Sequence, residues 1–107
     1  MDVDFDRKFD HYHAKAKEFG LKTVWSIYEV ENLNDMHPFG KGLEVVYDAN
    51  YHWGGKTTIA AVHGNTWLDL FIAADKCVRD SGDNHHIYIE SFEPSSATGV
   101  VYLHTGS

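Results

Sequence analysis

Eight histidines, sixteen Asp/Glu residues and one cysteine are the side chains of this 107-residue chain that could do chemistry. Neutral imidazole beside carboxylate suits zinc, nickel or iron. His86, Glu90 and His104 fall on two late segments that both read as strands. Along one strand, however, His86 and Glu90 are about 13 Å apart, so only one of them can join His104 at an ion. Asp6, Asp10 and His13 form one polar column at steps of four and three, the ordinary solvated flank of an amphipathic helix. His11 and His13 point to different sides of the same helix. His85-His86 has no ligand spacing of the HExxH kind, and the chain holds no CxxC or Cys/His cluster. We assign no metal and no cofactor from the sequence.

Nucleophilic chemistry is equally thin. Cys77 falls on the apolar side of a helical segment, where a thiol packs rather than reacts. There is no GxSxG elbow, and Ser95-Ser96 lies in a turn-rich stretch. Gly54-Gly55-Lys56-Thr57-Thr58 invites comparison with a phosphate-binding loop, but the first glycine that motif requires would fall at Asn50, and a strand follows where the motif needs a helix. No catalytic residue is assigned. The most site-like local stretch is Tyr51, His52, Trp53, Gly54 and Gly55, where glycines allow close approach and aromatics supply contact area.

Elements must position these residues. Phe5, Phe9, Tyr12, Ala16 and Phe19 recur at helical steps over Asp4 to Phe19, with Gly20 as the stop. From Lys22 to Glu31 the period becomes two, which predicts a strand. The segment 31–42 is rich in Asn, Asp, Gly and Pro and reads as a loop. Leu43 to Asp48 and Lys56 to His63 read as strands by their β-branched content. Thr66 to Ser81 is the best-punctuated element, with Thr66 three residues before Asp69 as a capping box and Gly82 just beyond the end. His86 to Glu93 and Val100 to His104 alternate around a turn and predict a hairpin. The order αβββαββ predicts an α+β fold: one 1–107 domain forming a two-layer sandwich, both helices on one face of a mainly antiparallel five-stranded sheet.

Strand parity then predicts an uncovered face. With Val24, Val45, Ile89, Val101 and Leu103 toward the helices, the opposite face shows Trp25, Ile27, Tyr88, Glu90, Phe92, Tyr102 and His104. Such a mixture is too apolar to meet only water.

Composition bounds the partner. A formal charge of −7 repels phosphate backbones and anionic lipid. The αβββα order up to residue 82 is that of a double-stranded-RNA-binding domain, but Thr66-Trp67-Leu68-Asp69 stands where such a domain places lysines. Direct nucleic-acid binding is therefore not expected. Protonating all eight histidines would cancel the −7 and leave +1, so charge is strongly pH-dependent below about 6.5. A lone cysteine, the absence of a basic-then-apolar start and the absence of an 18-residue apolar run predict a cytoplasmic chain away from membranes. The leading expectation is a non-catalytic interaction or assembly module using the open face, with itself or another protein, one of basic character, as partner. The alternatives are a small enzyme or ligand-binding protein with a His/Glu site near the 31–42 and 49–55 loops, and an acidic inhibitor of a nucleic-acid-binding protein.

Overall fold

The computed structural model describes residues 3–27, 29–30, 32–48, 56–82, 86–96 and 99–106, with side chains inside the first helix described from Asp10 onward. Among these residues two helices, α1 (Val3–Glu18) and α2 (Trp67–Ser81), accompany five strands: β1 (Val24–Trp25), β2 (Glu44–Asp48), β3 (Thr57–Ala61), β4 (Tyr88–Pro94) and β5 (Val100–Gly106). The fold is α+β, and no described helix is long and apolar enough to cross a membrane.

α2 forms as its punctuation dictates. The Thr66 hydroxyl accepts from the Asp69 amide, the Asp69 carboxylate accepts from the Thr66 amide, and Gly82 closes the helix in the left-handed region at φ 81°. Gly64 makes this box possible. A Cβ there would stand 2.1 Å from Asp69 Oδ2, so only a bare backbone lets the carboxylate tuck in. In α1, Tyr12 and Ala16 are buried as the stripe predicts, whereas Phe19 lies past the helix end and is exposed. The Phe5 and Phe9 side chains lie outside the description.

The sheet is mixed rather than mainly antiparallel, in the order β1-β4-β5-β2-β3. β1–β4 and β5–β2 are parallel, while β4–β5 and β2–β3 are antiparallel. The expected strand at residues 22–31 explains the difference. It stops at Trp25, because the Ile27 carbonyl is taken by the Trp25 indole N–H at 2.9 Å and by the Val30 amide at 3.1 Å. With its carbonyl bonded outside a ladder, the chain leaves the sheet and crosses to the far half, where β2 and β3 pair. The C-terminal hairpin then fills the gap and meets β1 and β2 in parallel.

The helices do not share one face. α2 lies across β2 and β3, and α1 packs on β1. Register places Val24 with Tyr88 on one side and Trp25 with Ile89 on the other. Trp25 meets Trp67 and Phe71 of α2 at 5.9 and 5.4 Å, whereas the Tyr88 ring stands edge-on to His13 of α1 at 5.9 Å. One apolar cluster holds the whole together, with Trp25, Val45, Tyr47, Leu70, Phe71, Ile89 and Val101 at or near zero exposure.

Candidate functional site

The side of the sheet away from α2 is built by four strands in register. Val46 pairs with Ile59 on one side and Tyr102 on the other, and Tyr102 pairs with Glu93. Side chains of such pairs stand about 5 Å apart on one face, so Ile59, Val46 and Tyr102 form a continuous apolar row. Ile59 is 57% exposed and Tyr102 41%, while Val46 and Val100 are half-buried. Glu44 and Asp48 flank Val46 along β2 and Glu93 stands beside Tyr102, with Glu90 farther along toward Gly106, all four exposed. His104 sits beside it, and its Nε2 pairs with Glu93 at 2.9 Å. Gly106 gives Glu90 its place, since a Cβ there would lie 2.4 Å from the carboxylate.

Of the residues expected on this face, Tyr88, Glu90, Tyr102 and His104 are there, Tyr88 half-covered by α1. Trp25 and Phe92 are corrections. Trp25 is fully buried under α2, and Phe92 packs on it with ring centres 6.0 Å apart. The cause for Phe92 is a bulge: the β4–β5 register shifts between Ile89 and Ser91, and the extra residue, Glu90, flips the parity of everything after it. Ile27 is partly buried against the core, because the chain has already left the sheet. The Tyr51, His52, Trp53, Gly54 and Gly55 loop lies outside the described residues.

Among the described residues, the histidines and carboxylates of the open face and of the 31–42 segment do not meet at one point. His37 is buried on the α2 side, its ring stacked on Phe39 and edge-on to Trp67, and its Nδ1 accepts from the Phe39 amide at 3.2 Å. Burial holds its pKa below the usual imidazole value, opposed by the Asp69 charge and a backbone contact at Gly64. That contact is not a hydrogen bond by geometry, since Nε2 has no aligned partner. His104 stands on the other side of the sheet. Among the described residues, no three His, Cys, Asp or Glu side chains gather closely enough to hold a metal ion.

Cys77 is a packed thiol. Its Sγ–H donates to the Val45 carbonyl at 3.4 Å, and burial pushes its pKa up to about 11, which leaves essentially no thiolate at neutral pH. The α2 carboxylates are also committed to structure. Asp69 serves the cap, and Asp80 pairs with Lys76 at 2.6 Å. Asp75 is fully buried. Its Oδ1 accepts from the Lys22 amide, the Thr23 amide and the Thr23 hydroxyl at 2.9, 2.8 and 2.7 Å. Its Oδ2 lies 2.6 Å from Arg79 Nε, an ion pair whose N–H is not aimed at the oxygen.

Sequence reasoning missed two exposed apolar residues, Ile59 and Ile72 of α2. The signal for Ile59 was present, because Thr58, Ala60 and Val62 take the core side by parity and Ile59 must take the other. Ile59, Ala61, Ile72 and Ala73 line a groove of about 510 Å³ between β3 and α2, with Asp69 and His63 toward one end and Lys76 and Arg79 toward the other. No family model matches this chain, and neither a curated protein nor a solved structure matches it.

Proposed function

We propose that this protein is a non-catalytic interaction module that binds a basic protein through the open face of its sheet. The observation that carries the reading is the apolar row of exposed Ile59 and Tyr102 with half-buried Val46 between them, flanked by exposed carboxylates at Glu44, Asp48 and Glu93. An apolar centre with a charged rim is the composition of a protein-binding patch, and Tyr is among the residues that dominate such patches. The acid rim selects lysine- or arginine-rich partners and steers their approach. His37 and His104 lie on opposite sides of the sheet, so a His/Glu site at the open face would not include His37. Asp75 is buried in its bonds to Thr23 and its ion pair with Arg79, so it lends nothing to a phosphate-mimicking surface.

The test is photocrosslinking from a benzophenone side chain placed at Tyr102, with the same group at Glu18 as control, in extract of the source cell. The expected result is a basic protein joined from position 102 alone, in lower yield at high salt and lost when Val46→Glu is added. Equal adducts from both positions, or adducts indifferent to Val46→Glu, would sink the reading.

A further inference from the structure

We propose that β3 is a self-association edge: two copies of this chain pair β3 with β3 antiparallel across a two-fold axis, their α2 helices side by side above the joined sheets. β3 ends the sheet, with β2 on one side and no described strand on the other. The Val62 amide donates to the Leu43 carbonyl. By alternation, Thr58 and Ala60 also turn their amides to β2, and Thr57, Ile59 and Ala61 turn theirs outward. These outward N–H and C=O groups are a template for another strand. The devices that blunt an edge are missing from Thr57–Ala61: it has no charge, no proline and no bulge.

The groove beside this edge says what the occupant is. Along α2 it runs from Asp69 through Ile72 and Ala73 to Lys76 and Arg79, acidic at one end, apolar in the middle and basic at the other. Such an arrangement is self-complementary under a two-fold axis. An axis passing near Ile72 brings the two exposed isoleucines together and sets Asp69 of one copy level with Lys76 of the partner subunit. The strand offers apolar side chains on the other face too, where Ile59 is 57% exposed. Antiparallel pairing of identical edges satisfies both templates at once, whereas a foreign peptide would satisfy one. This contact and the basic-partner reading of the open face meet only along β3, and each is tested without the other.

Sedimentation equilibrium from micromolar to near-millimolar protein tests it, with circular dichroism of each variant to verify folding. The expected mass rises from 12.1 kDa toward twice that value. Ala61→Pro removes an outward amide but no bond to β2, so the folded variant should dissociate with a constant raised ~10-fold or more. Ile72→Glu should do the same through the helix side, and it covers the case in which the proline variant fails to fold. Tyr102→Glu should leave the dimer intact. A wild-type monomer at every concentration overturns the proposal, including the case in which β3 pairs only with an added foreign peptide. A dimer lost in Tyr102→Glu but kept in Ala61→Pro or Ile72→Glu overturns it as well.

Discussion

The two ends of the sheet treat the same problem in opposite ways. β1 has two strand residues, both buried, and α1 packs on it. Its approach is fixed from across the molecule, where Asp75 of α2 gathers three donors from Lys22 and Thr23. β3 has five strand residues, alternately exposed, with an apolar groove along its side. An edge strand cut to two buried residues with the chain's own helix packed on it is a matter of stability. An edge left bare is a place where association can occur, and the strongest substitutions should separate accordingly.

The largest expected effect lies at the β1 end. Trp25→Ala deletes a fully buried ring held between Trp67, Phe71 and Phe92, at a cost of about 3–5 kcal/mol, enough to shift a urea midpoint far toward zero denaturant. A loss under about 1 kcal/mol would erase the comparison, because β1 would then be no more structural than an exposed strand. Next comes Asp75→Ala, which leaves two backbone amides and a buried hydroxyl without their acceptor and should cost about 2–4 kcal/mol. Asp75→Asn keeps an acceptor oxygen and should cost less. Equal losses for the two variants would show that the carboxylate's charge opposite Arg79, and not the Lys22–Thr23 bonds, fixes β1.

A smaller effect is set by pH. Burial holds the pKa of His37 in the folded chain below its ordinary value of about 6.5, near which it titrates in the unfolded chain. Below that value the unfolded state takes up a proton that the folded state resists, so stability is lost as pH falls and is restored above it. The difference in unfolding midpoint between the wild type and His37→Phe should therefore shift in the variant's favour between pH 7 and 5. A difference that stays constant across that range would show that the ring accommodates its proton where it stands. Comparing the two proteins removes the contribution of the other seven histidines.

What the sequence disclosed follows the range of the forces involved. α2 was legible to within a residue because Thr66, Asp69 and Gly82 are local signals with local geometry. The hairpin of β4 and β5 was legible for the same reason. The strand pairing was not, because a parallel neighbour is chosen by a long crossover and leaves no mark on the strand it joins. Phe92 was assigned to the wrong side by a bulge at Glu90, which leaves no local mark in the sequence; the bulged carboxylate lies over Gly106, sixteen positions away. Trp25 was assigned to the open side because two adjacent buried residues, Val24 and Trp25, break the alternation that parity assumes. On the open face, Tyr102, Glu90 and His104 were found by simple alternation, and the same alternation, with Thr58, Ala60 and Val62 on the core side, places Ile59 there too.

The smallest expected effect closes the comparison from the β3 side. Ile59→Thr replaces an exposed β-branched residue by another of similar strand preference, so the ladder with Val46 persists and little buried area is lost. In dilute solution, where each copy stands alone, unfolding should change by no more than about 0.5 kcal/mol. Concentrated solution differs, because association through β3 stabilises the folded chain by mass action and makes the melting temperature rise with protein concentration. That rise should be present in the wild type and reduced in Ile59→Thr. A variant that is already less stable when dilute would place Ile59 among the core contacts, and the two ends of the sheet would then be stabilised alike.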